Sequence, residues 1–319
     1  MKPNTLTGIL MAAAMIGLSV SCKKDKQPEP VVPFAKAAEF WDANKAKAQE
    51  FKGDAATGFT ITGAKGVKIV FPPNAFRDQG GQIVTGNVTV KLTEILSKKD
   101  ILLSGPMTES NGKLLVSGGE ILVEADLNGK PLVAIEKGID VEVPQVMKAG
   151  EMQLFVQGRR DPGPNGVPDT NLQQSPLTWI AAPYAPFGNG PNTYTFTLPS
   201  FTWVNCDRFY SDPRPKTTIT VLPDFKDGNQ VSDLQVMLVF RDITTVVTLP
   251  YNTFLQKFES YASSLPVGIE ADLVILGKDA DGYIQFGTQH ITVAANQHID
   301  AAIRRTAQAD IDAFLAGIN

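Results

Sequence analysis

The chain has 319 residues, with 29 Lys and Arg against 33 Asp and Glu, so its formal net charge at pH 7 is −4. Nucleic-acid binding requires a basic surface, and this acidic balance argues against it. Hydrophobic residues make up 43% of the chain, which is enough to build one or two domains around hydrophobic cores.

Residues 1–21 have the layout of a secretory signal peptide. Lys2 is followed by an apolar stretch, residues 6–20, that ends in small residues just before Cys22. A transmembrane helix needs about 20 consecutive apolar residues, and this stretch is shorter. The pattern therefore predicts a cleaved signal rather than a membrane span.

The boundary LSVSC resembles the signal of bacterial lipoproteins, although Leu18 lies four residues before Cys22 and the usual spacing is three. The resemblance implies that cleavage makes Cys22 the first mature residue and that Cys22 then carries a lipid anchor. The alternative is an ordinary secreted protein with an unmodified Cys22. Cys206 is the only other cysteine, so a lipidated Cys22 leaves no possible intrachain disulfide.

Two segments of different character follow the predicted cleavage point. Residues 22–33 are charged and proline-rich with no apolar period, which predicts a tether. In residues 34–52 apolar residues recur every three or four positions, which predicts one amphipathic helix. Binding to a membrane surface is one hypothesis for this helix, but its charges are mixed, and docking on the following domain is favoured.

From Gly58 onward the apolar period changes to two. In VTVKLTE the apolar residues Val88, Val90 and Leu92 alternate with polar ones, which is typical of a half-buried antiparallel strand. The pair Asn128-Gly129 predicts a tight hairpin turn, because both central positions of that turn need a positive φ. Short strands without intervening helices predict a β-sandwich over residues 54–205.

Three segments of this region, GVKIVFPPNAF, GNVTVKLTE and GGEILVEA, together resemble the ZU domain, a β-sandwich of ankyrins, netrin receptors and tight-junction scaffolds. The resemblance covers residues 58–144 and implies a fold without catalytic residues. Self-cleaving relatives of the ZU domain use a His-Phe-Ser sequence, which this chain lacks. The whole chain also resembles a group of bacterial envelope lipoproteins of unassigned activity.

The remainder of the chain predicts a second β domain. Residues 161–178 contain four prolines and no period, which predicts an exposed loop, and SDPRPK predicts a linker with a domain boundary near Asp212. Residues 212–319 contain about seven strand patterns, which predict an immunoglobulin-like or transthyretin-like sandwich. A short C-terminal helix follows, with Thr306 as the expected cap. The predicted fold is mainly β: two consecutive antiparallel β-sandwich domains with a short helix near each end.

The sequence contains no pattern typical of a metal or cofactor site. His290 and His298 are the only histidines, and no further histidine or cysteine pair accompanies them as zinc ligands. Calcium is a minor hypothesis for two acidic turns, residues 161–169 and 278–283, which lack the twelve-residue calcium-loop pattern.

Catalytic motifs are absent as well. The sequence VSGGE around Ser117 does not have the spacing of a nucleophile elbow, and its glycines predict a bulge or close packing. The acidic strand residues are interpreted as solvated positions, although a pair of them could act in glycoside hydrolysis; they are Glu94, Glu109, Glu120 and Glu124.

The densest group of aromatic and polar residues is FTWVNCDRFY. It could form a sugar-stacking platform in which five residues contact a ligand: Trp203, Asn205, Asp207, Arg208 and Tyr210. The alternative, which we favour, is a strand entering the domain junction, with Cys206 buried and Asp207 bonded to Arg208 or a turn amide.

The leading functional hypothesis is a lipid-anchored, non-catalytic protein of the outer envelope that presents β-sandwich loops to a protein or a glycan. The alternative is an enzyme or accessory protein that acts on polysaccharide through carboxylates. Lys23 follows Cys22 where an inner-membrane retention signal would have aspartate, and the charged run CKKDK resembles the export tags of some surface lipoproteins. The expected location is the outer membrane, exposed at the cell surface rather than facing the periplasm.

Overall fold

Strands dominate the computed structural model, which describes residues 34–104, 107–135, 138–146, 150–159, 172–173 and 177–318. The described residues contain three helices, α1 (Ala37–Asn44), α2 (Lys98–Ser104) and α3 (Gln308–Ala316). The strands up to Phe209 are β1 (Gln49–Asp54), β2 (Phe59–Thr62), β3 (Lys68–Phe71), β4 (Phe76–Arg77), β5 (Asn87–Ile95), β6 (Glu109–Ser110), β7 (Lys113–Leu127), β8 (Lys130–Pro131), β9 (Val133–Ala134), β10 (Asp140–Pro144), β11 (Gln153–Arg159), β12 (Leu172–Gln173), β13 (Leu177–Ala181), β14 (Phe187–Asn189), β15 (Thr193–Thr197) and β16 (Trp203–Phe209). The strands after it are β17 (Lys216–Thr217), β18 (Thr220–Phe225), β19 (Val231–Phe240), β20 (Val246–Thr248), β21 (Tyr251–Asn252), β22 (Lys257–Glu259), β23 (Leu265–Pro266), β24 (Glu270–Asp279), β25 (Ile284–Thr292) and β26 (His298–Arg305).

Two antiparallel sheets form the first half of the fold. The first sheet has the order β1-β5-β7-β16-β11-β13, and β6 and β8 also pair with β7. The second sheet has the order β14-β15-β10-β3-β2. One hydrophobic core takes residues from both sheets, including Val90 of the first and Val141 of the second. The predicted period of two is confirmed here, because Val88, Val90 and Leu92 are all buried.

The third sheet has nine strands in the order β12-β21-β22-β18-β26-β25-β24-β19-β20. Strand β26 connects its two parts: it runs parallel to β18 over six residue pairs, whereas it pairs with β25 only at Gln285 and Phe286. A second core takes Val221 and Ile299 from one part and Leu238 and Leu273 from the other. The sheet is therefore folded over its own core.

The predicted N-terminal helix is present but shorter than residues 34–52. Helix α1 ends at Asn44, and Gln49–Asp54 is a strand that pairs with β5. The prediction was wrong for this second part because pairing along β5 supplies every residue of β1 with a strand partner, which a short helix cannot match.

Helix α1 packs on the C-terminal part of the chain. Ala37 and Phe40 belong to a third core with Ile311 of α3 and Val274 of β24. The chain just before the helix is fixed as well, since the N–H of Ile284 donates to the carbonyl of Ala35 at 2.8 Å. The favoured prediction of docking on protein rather than membrane agrees with this packing, although the sheet it contacts is the third in the chain.

The C-terminal helix is present, with Ile311 and Leu315 buried as the apolar pattern predicts. The predicted cap was wrong: the N-cap residue is Ala307, and the Thr306 hydroxyl donates to the carbonyl of Arg304 at 3.1 Å instead. The hairpin at Asn128-Gly129 is confirmed, with φ of 53° and 78°.

Hydrogen bonds connect the first half of the fold to the third sheet. The N–H of Ser117 donates to the carbonyl of Thr244 at 2.9 Å, and that of Thr108 donates to Val246 at 2.9 Å. All described residues belong to one unit, Pro33–Asn319. The division into domains 54–205 and 212–319 stays a prediction, and so does the ZU resemblance.

The predicted linker is held by an ion-pair cluster. The carboxylate of Asp212 accepts hydrogen bonds from Arg214 Nη2 at 2.6 Å and from the Tyr210 hydroxyl at 2.6 Å, and its backbone carbonyl accepts one from Lys216 Nζ at 2.6 Å. Hydrogen bonds from Arg214, and then from Tyr210, hold the pKa of Asp212 well below its usual range. The segment is therefore fixed in one conformation by charge-assisted hydrogen bonds.

Candidate functional site

The five residues predicted to contact a ligand lie on or next to β16, an interior strand of the first sheet. Asn205 and Asp207 are completely buried, whereas Trp203, Arg208 and Tyr210 are partly exposed. The five residues thus do not share one solvent-exposed face. The structure brings Asn205 and Asp207 together, whereas Trp203 packs against Leu115, Phe155 and Trp179, and the Tyr210 hydroxyl donates to Asp212.

The two faces of β16 have different surroundings. Val204 and Cys206 point into the core between the first and second sheets. Cys206 is a buried free cysteine, as the favoured interpretation predicted, and burial, together with the charge of Asp207, raises the pKa of its thiol well above the ordinary value. Asn205 and Asp207 lie on the opposite face, where Asn205 is directly paired with Phe155 of β11.

Asn205 and Asp207 form a buried polar cluster with two residues of the neighbouring strand β7, Ser117 and Glu120. We call these four residues the 117/120/205/207 cluster; all have no exposed surface. Asn205 Nδ2 donates to Asp207 Oδ2 at 2.7 Å and to Glu120 Oε1 at 3.3 Å. Ser117 Oγ donates to Asn205 Oδ1 at 3.2 Å and accepts from the N–H of Gly119 at 3.1 Å.

A β-bulge creates this arrangement. Ser117 is paired with Asp207, and Glu120 is paired with Asn205. The two residues between them on β7, Gly118 and Gly119, therefore lie opposite the single residue Cys206. In a regular strand Ser117 and Glu120, three positions apart, would point to opposite faces. The extra residue places both side chains on one face.

The glycines of the bulge are required by space and by backbone angle. A Cβ atom on Gly118 would lie 2.9 Å from the carbonyl oxygen of Cys206, too close to be accommodated. Gly119 has φ of 135°, which L side chains rarely adopt, and its Cβ would lie 2.7 Å from Leu96. The prediction that this glycine pair allows a bulge and close packing is confirmed.

The two carboxyl groups of the cluster are electrostatically unequal. Burial raises the pKa of Glu120 well above its ordinary value, and the charge of Asp207 raises it further. Burial also raises the pKa of Asp207, but Ser117, the N–H of Gly118 and Asn205 oppose that effect by favouring its ionised form. Two neighbouring carboxyl groups in a dry site do not both ionise, and the shorter bond from Asn205 Nδ2 favours Asp207 as the ionised member of the pair.

Each carboxyl group of the cluster also has one oxygen atom that lacks a hydrogen-bond partner in the described chain. Glu120 Oε2 and Asp207 Oδ1 are buried and have no partner of ordinary hydrogen-bond geometry among the described residues. An unsatisfied buried polar atom destabilises the folded state by about 1–3 kcal/mol. The cluster therefore lowers the stability of the fold if it serves no purpose beyond structure.

A shallow open groove of about 470 Å³ lies elsewhere, on the face of the second sheet that points away from the core. Asp140, Glu142, Phe187, Thr195 and Thr197 line it. Lys68 Nζ forms an ion pair with Glu142 Oε1 at 3.1 Å. The groove has a mixed lining, in which two carboxylates and two threonines lie beside Phe187 and Phe196, and a glycan or a peptide could contact such a surface.

Comparison of the chain with protein families, with curated proteins and with solved structures finds no match. Within the described ranges, no helix is long and apolar enough to cross a membrane.

The residues that the sequence offered as metal ligands make other contacts. In the described part of the chain, no group of three or more His, Cys, Asp or Glu side chains is arranged to hold a metal ion. His290 Nδ1 lies 3.4 Å from a carboxylate oxygen of Asp272, and His298 Nε2 lies 3.3 Å from one of Asp300, so the two histidines contact different carboxylates.

At the acidic turn of residues 278–283, the guanidinium of Arg305 binds the carboxylates of Asp279 and Asp281, so a fixed cation already neutralises them. The other acidic turn, residues 161–169, and Cys22 lie outside the described residues.

Sequence reasoning considered Ser117 and Glu120 singly and did not join them to Asn205 and Asp207. The available signal was a pair of polar residues at alternate positions of an interior strand, the sequence N-x-D in β16. The partner strand β7 carries the sequence S-G-G-E opposite them. Alternating polar residues in an interior strand indicate a buried cluster, but only the bulge decides which face each one occupies.

Proposed function

We propose that this protein is a lipid-anchored, non-catalytic protein of the outer envelope that presents β-sheet surfaces to a protein or a glycan. The observation that carries the proposal is the apolar run that ends at Cys22 and is followed by a charged tether. Two or three acyl chains of about 15 methylenes, at about 0.8 kcal/mol per methylene, would make such an anchor effectively permanent.

The burial of the acidic pair supports binding rather than glycoside hydrolysis. A glycosidase needs two carboxyl groups about 5–10 Å apart that flank a bound sugar in a cleft. Glu120 and Asp207 are both completely buried and separated from solvent by packed strands. A substrate could not reach them without unfolding the sheet.

Two exposed features are suited to recognition. The first is the groove on the second sheet, lined by Thr195 and Thr197. The second is the turn between β21 and β22, where Phe254 is 80% exposed and Leu255 is 42% exposed. Asn252 Oδ1 accepts hydrogen bonds from the N–H groups of Phe254 and Leu255 at 3.0 Å each, which fixes the turn. A fixed turn with exposed apolar side chains loses little entropy on binding.

Attachment is tested by Cys22→Ala in cells fed labelled palmitate. The proposal expects the label on the wild-type chain and none on the variant, and Cys206→Ala is the matched control that keeps its label. Label on Cys22→Ala would contradict the anchor.

Exposure at the cell surface is tested with a protease that does not cross the outer membrane. Immunoblotting for residues 212–319 should show digestion in intact cells. Full protection until lysis would place the protein on the periplasmic side and contradict an external ligand.

Binding is tested with the full chain on a glycan array and against isolated envelope proteins. Phe254→Ser and Thr195→Arg each alter one candidate surface, and Phe225→Ser is the control, because Phe225 is also exposed, at 39%, but lies on β18. Loss of a bound ligand with only one of the two surface variants assigns the surface.

The second candidate function is a polysaccharide-acting enzyme, and one observation favours it: Asp140 and Glu142 both line the open groove. This function expects hydrolysis of an envelope polysaccharide that Glu142→Gln abolishes. Retained ligand binding with no hydrolysis by the wild-type chain would exclude it in favour of the leading proposal.

A further inference from the structure

We propose that Ser117 and Asn205 form an intramolecular ester cross-link between strands β7 and β16, assembled by the chain itself with the carboxyl groups of Asp207 and Glu120. The side chains described above are then the unreacted precursor. This inference is independent of the proposed function, because it concerns how the fold is held together.

A nucleophile and an electrophile face each other in a dry site. The Ser117 hydroxyl lies 3.2 Å from Asn205 Oδ1, the oxygen bonded to the amide carbon that it would attack. Both side chains are completely buried, which fixes their mutual orientation and excludes water as a competing nucleophile.

The two carboxyl groups occupy the positions that the reaction requires. Asp207 is directly paired with Ser117 across the two strands and accepts from the Asn205 amide at 2.7 Å. Glu120 is paired with Asn205 and lies 3.3 Å from the amide nitrogen, the leaving group. Asp207 therefore contacts both the Ser117 hydroxyl and the amide, whereas Glu120 contacts the leaving nitrogen.

Their unequal environments assign the roles. Hydrogen bonds from Ser117, Gly118 and Asn205 oppose the effect of burial on the pKa of Asp207, so of the two carboxyl groups Asp207 is better placed to act as the general base for Ser117. Glu120 accepts the longer of the two bonds from Asn205 Nδ2, keeps its proton and acts as the general acid for the amide nitrogen.

The reaction needs no added reagent. As the Ser117 proton passes to Asp207, Oγ forms a bond to the amide carbon of Asn205. The bond between that carbon and Nδ2 then breaks, Nδ2 takes the proton of Glu120, and ammonia leaves. A proton transfer from Asp207 to Glu120 restores both carboxyl groups, so the products are one ester and one ammonia molecule.

The cross-link has a physical use in this chain. Cys206 is the only described cysteine and is buried without a disulfide partner. A bond between residues 88 positions apart would close a long loop of the unfolded chain, as a disulfide does. Burial would protect the ester from hydrolysis.

The test is mass spectrometry of the purified full chain after trypsin digestion under denaturing, mildly acidic conditions. Ser117 lies in the tryptic segment 114–137, since Lys130 precedes a proline, and Asn205 lies in the segment 161–208. The expected result is one joined species whose mass is the sum of the two peptides less one ammonia molecule. Brief treatment with dilute alkali should separate the pair, because it hydrolyses esters and leaves peptide bonds intact.

Ser117→Ala, Asn205→Ala and Glu120→Gln should each give two separate peptides. Ser260→Ala is the matched control: Ser260 is a buried serine directly after β22 that accepts from the N–H of Ile219 at 3.0 Å, and its loss should leave the joined species unchanged. Wild-type protein that yields only separate peptides of unaltered mass would overturn the proposal, whatever the variants do. A joined species that survives dilute alkali would also overturn it.

Discussion

Replacing Phe40 with alanine should release helix α1 from the body of the protein. Phe40 is 1% exposed and is the largest fully buried side chain of the helix in the third core, against which Trp41 packs at the edge. Helix α1 has only eight residues, and a helix of that length is not stable alone in water. Its structure therefore depends on this contact.

The free-energy cost of Phe40→Ala follows from the area that the side chain buries. An aromatic side chain of this size buries about 200 Å², which at about 25 cal/mol per Å² corresponds to about 5 kcal/mol. Measured Phe→Ala substitutions in cores cost about 3–5 kcal/mol. Because the helix can undock without global unfolding, the loss of global stability is limited by the docking free energy of the helix.

Hydrogen exchange measures the undocking directly. The N–H of Phe40 donates to the carbonyl of Lys36 at 2.8 Å, and that of Ala37 donates to Gly282 at 2.9 Å. A loss of about 3 kcal/mol should speed exchange of these amides by about two orders of magnitude, since 1.4 kcal/mol is a factor of ten. Exchange in the β7–β16 pair should change much less.

Glu39→Ala is the control, because Glu39 lies on the same helix and is exposed. It should leave the exchange of the α1 amides within a few-fold of wild type. Unchanged protection of α1 in Phe40→Ala would refute the argument that this one side chain docks the helix.

Three further predictions concern the turns and charges of the fold. Burial acts to raise the pKa of Asp227, but neighbouring N–H donors lower it to about 2. The Asp227 carboxylate therefore stabilises the fold above pH about 4, and this effect is lost as the pH falls toward 2. Urea unfolding should therefore give Asp227→Asn a lower free energy of unfolding than wild type at neutral pH, and the difference should disappear near pH 2. The same difference at every pH would contradict the assignment. Gly129→Ala should cost about 1 kcal/mol in urea unfolding, because alanine is strained at the φ of 78°; no loss would mean that the turn relaxes. Arg214→Ala should expose residues 210–216 to limited proteolysis by releasing Asp212, and an unchanged digestion pattern would show that other contacts hold the linker.

Local patterns of the sequence were sufficient to predict most of the elements. The alternation of Val88, Val90 and Leu92 identified β5, because a strand with one face in a core must repeat every two residues. Asn128-Gly129 identified a hairpin, because few residue pairs accept two positive φ angles. The stripe of Ile311 and Leu315 identified α3 in the same way.

The sequence by itself thus determined the mainly β class, the tight turn and the terminal helices, all of which depend on near neighbours in the chain. Only the tertiary structure decided the end of helix α1, where pairing with β5 replaces the helix by strand β1. It also decided the 117/120/205/207 cluster: one extra residue opposite Cys206 moves Glu120 to the face of Ser117. Bulges and strand partners are set by contacts between distant segments, and a period of two read along one strand carries no information about the register of its neighbour.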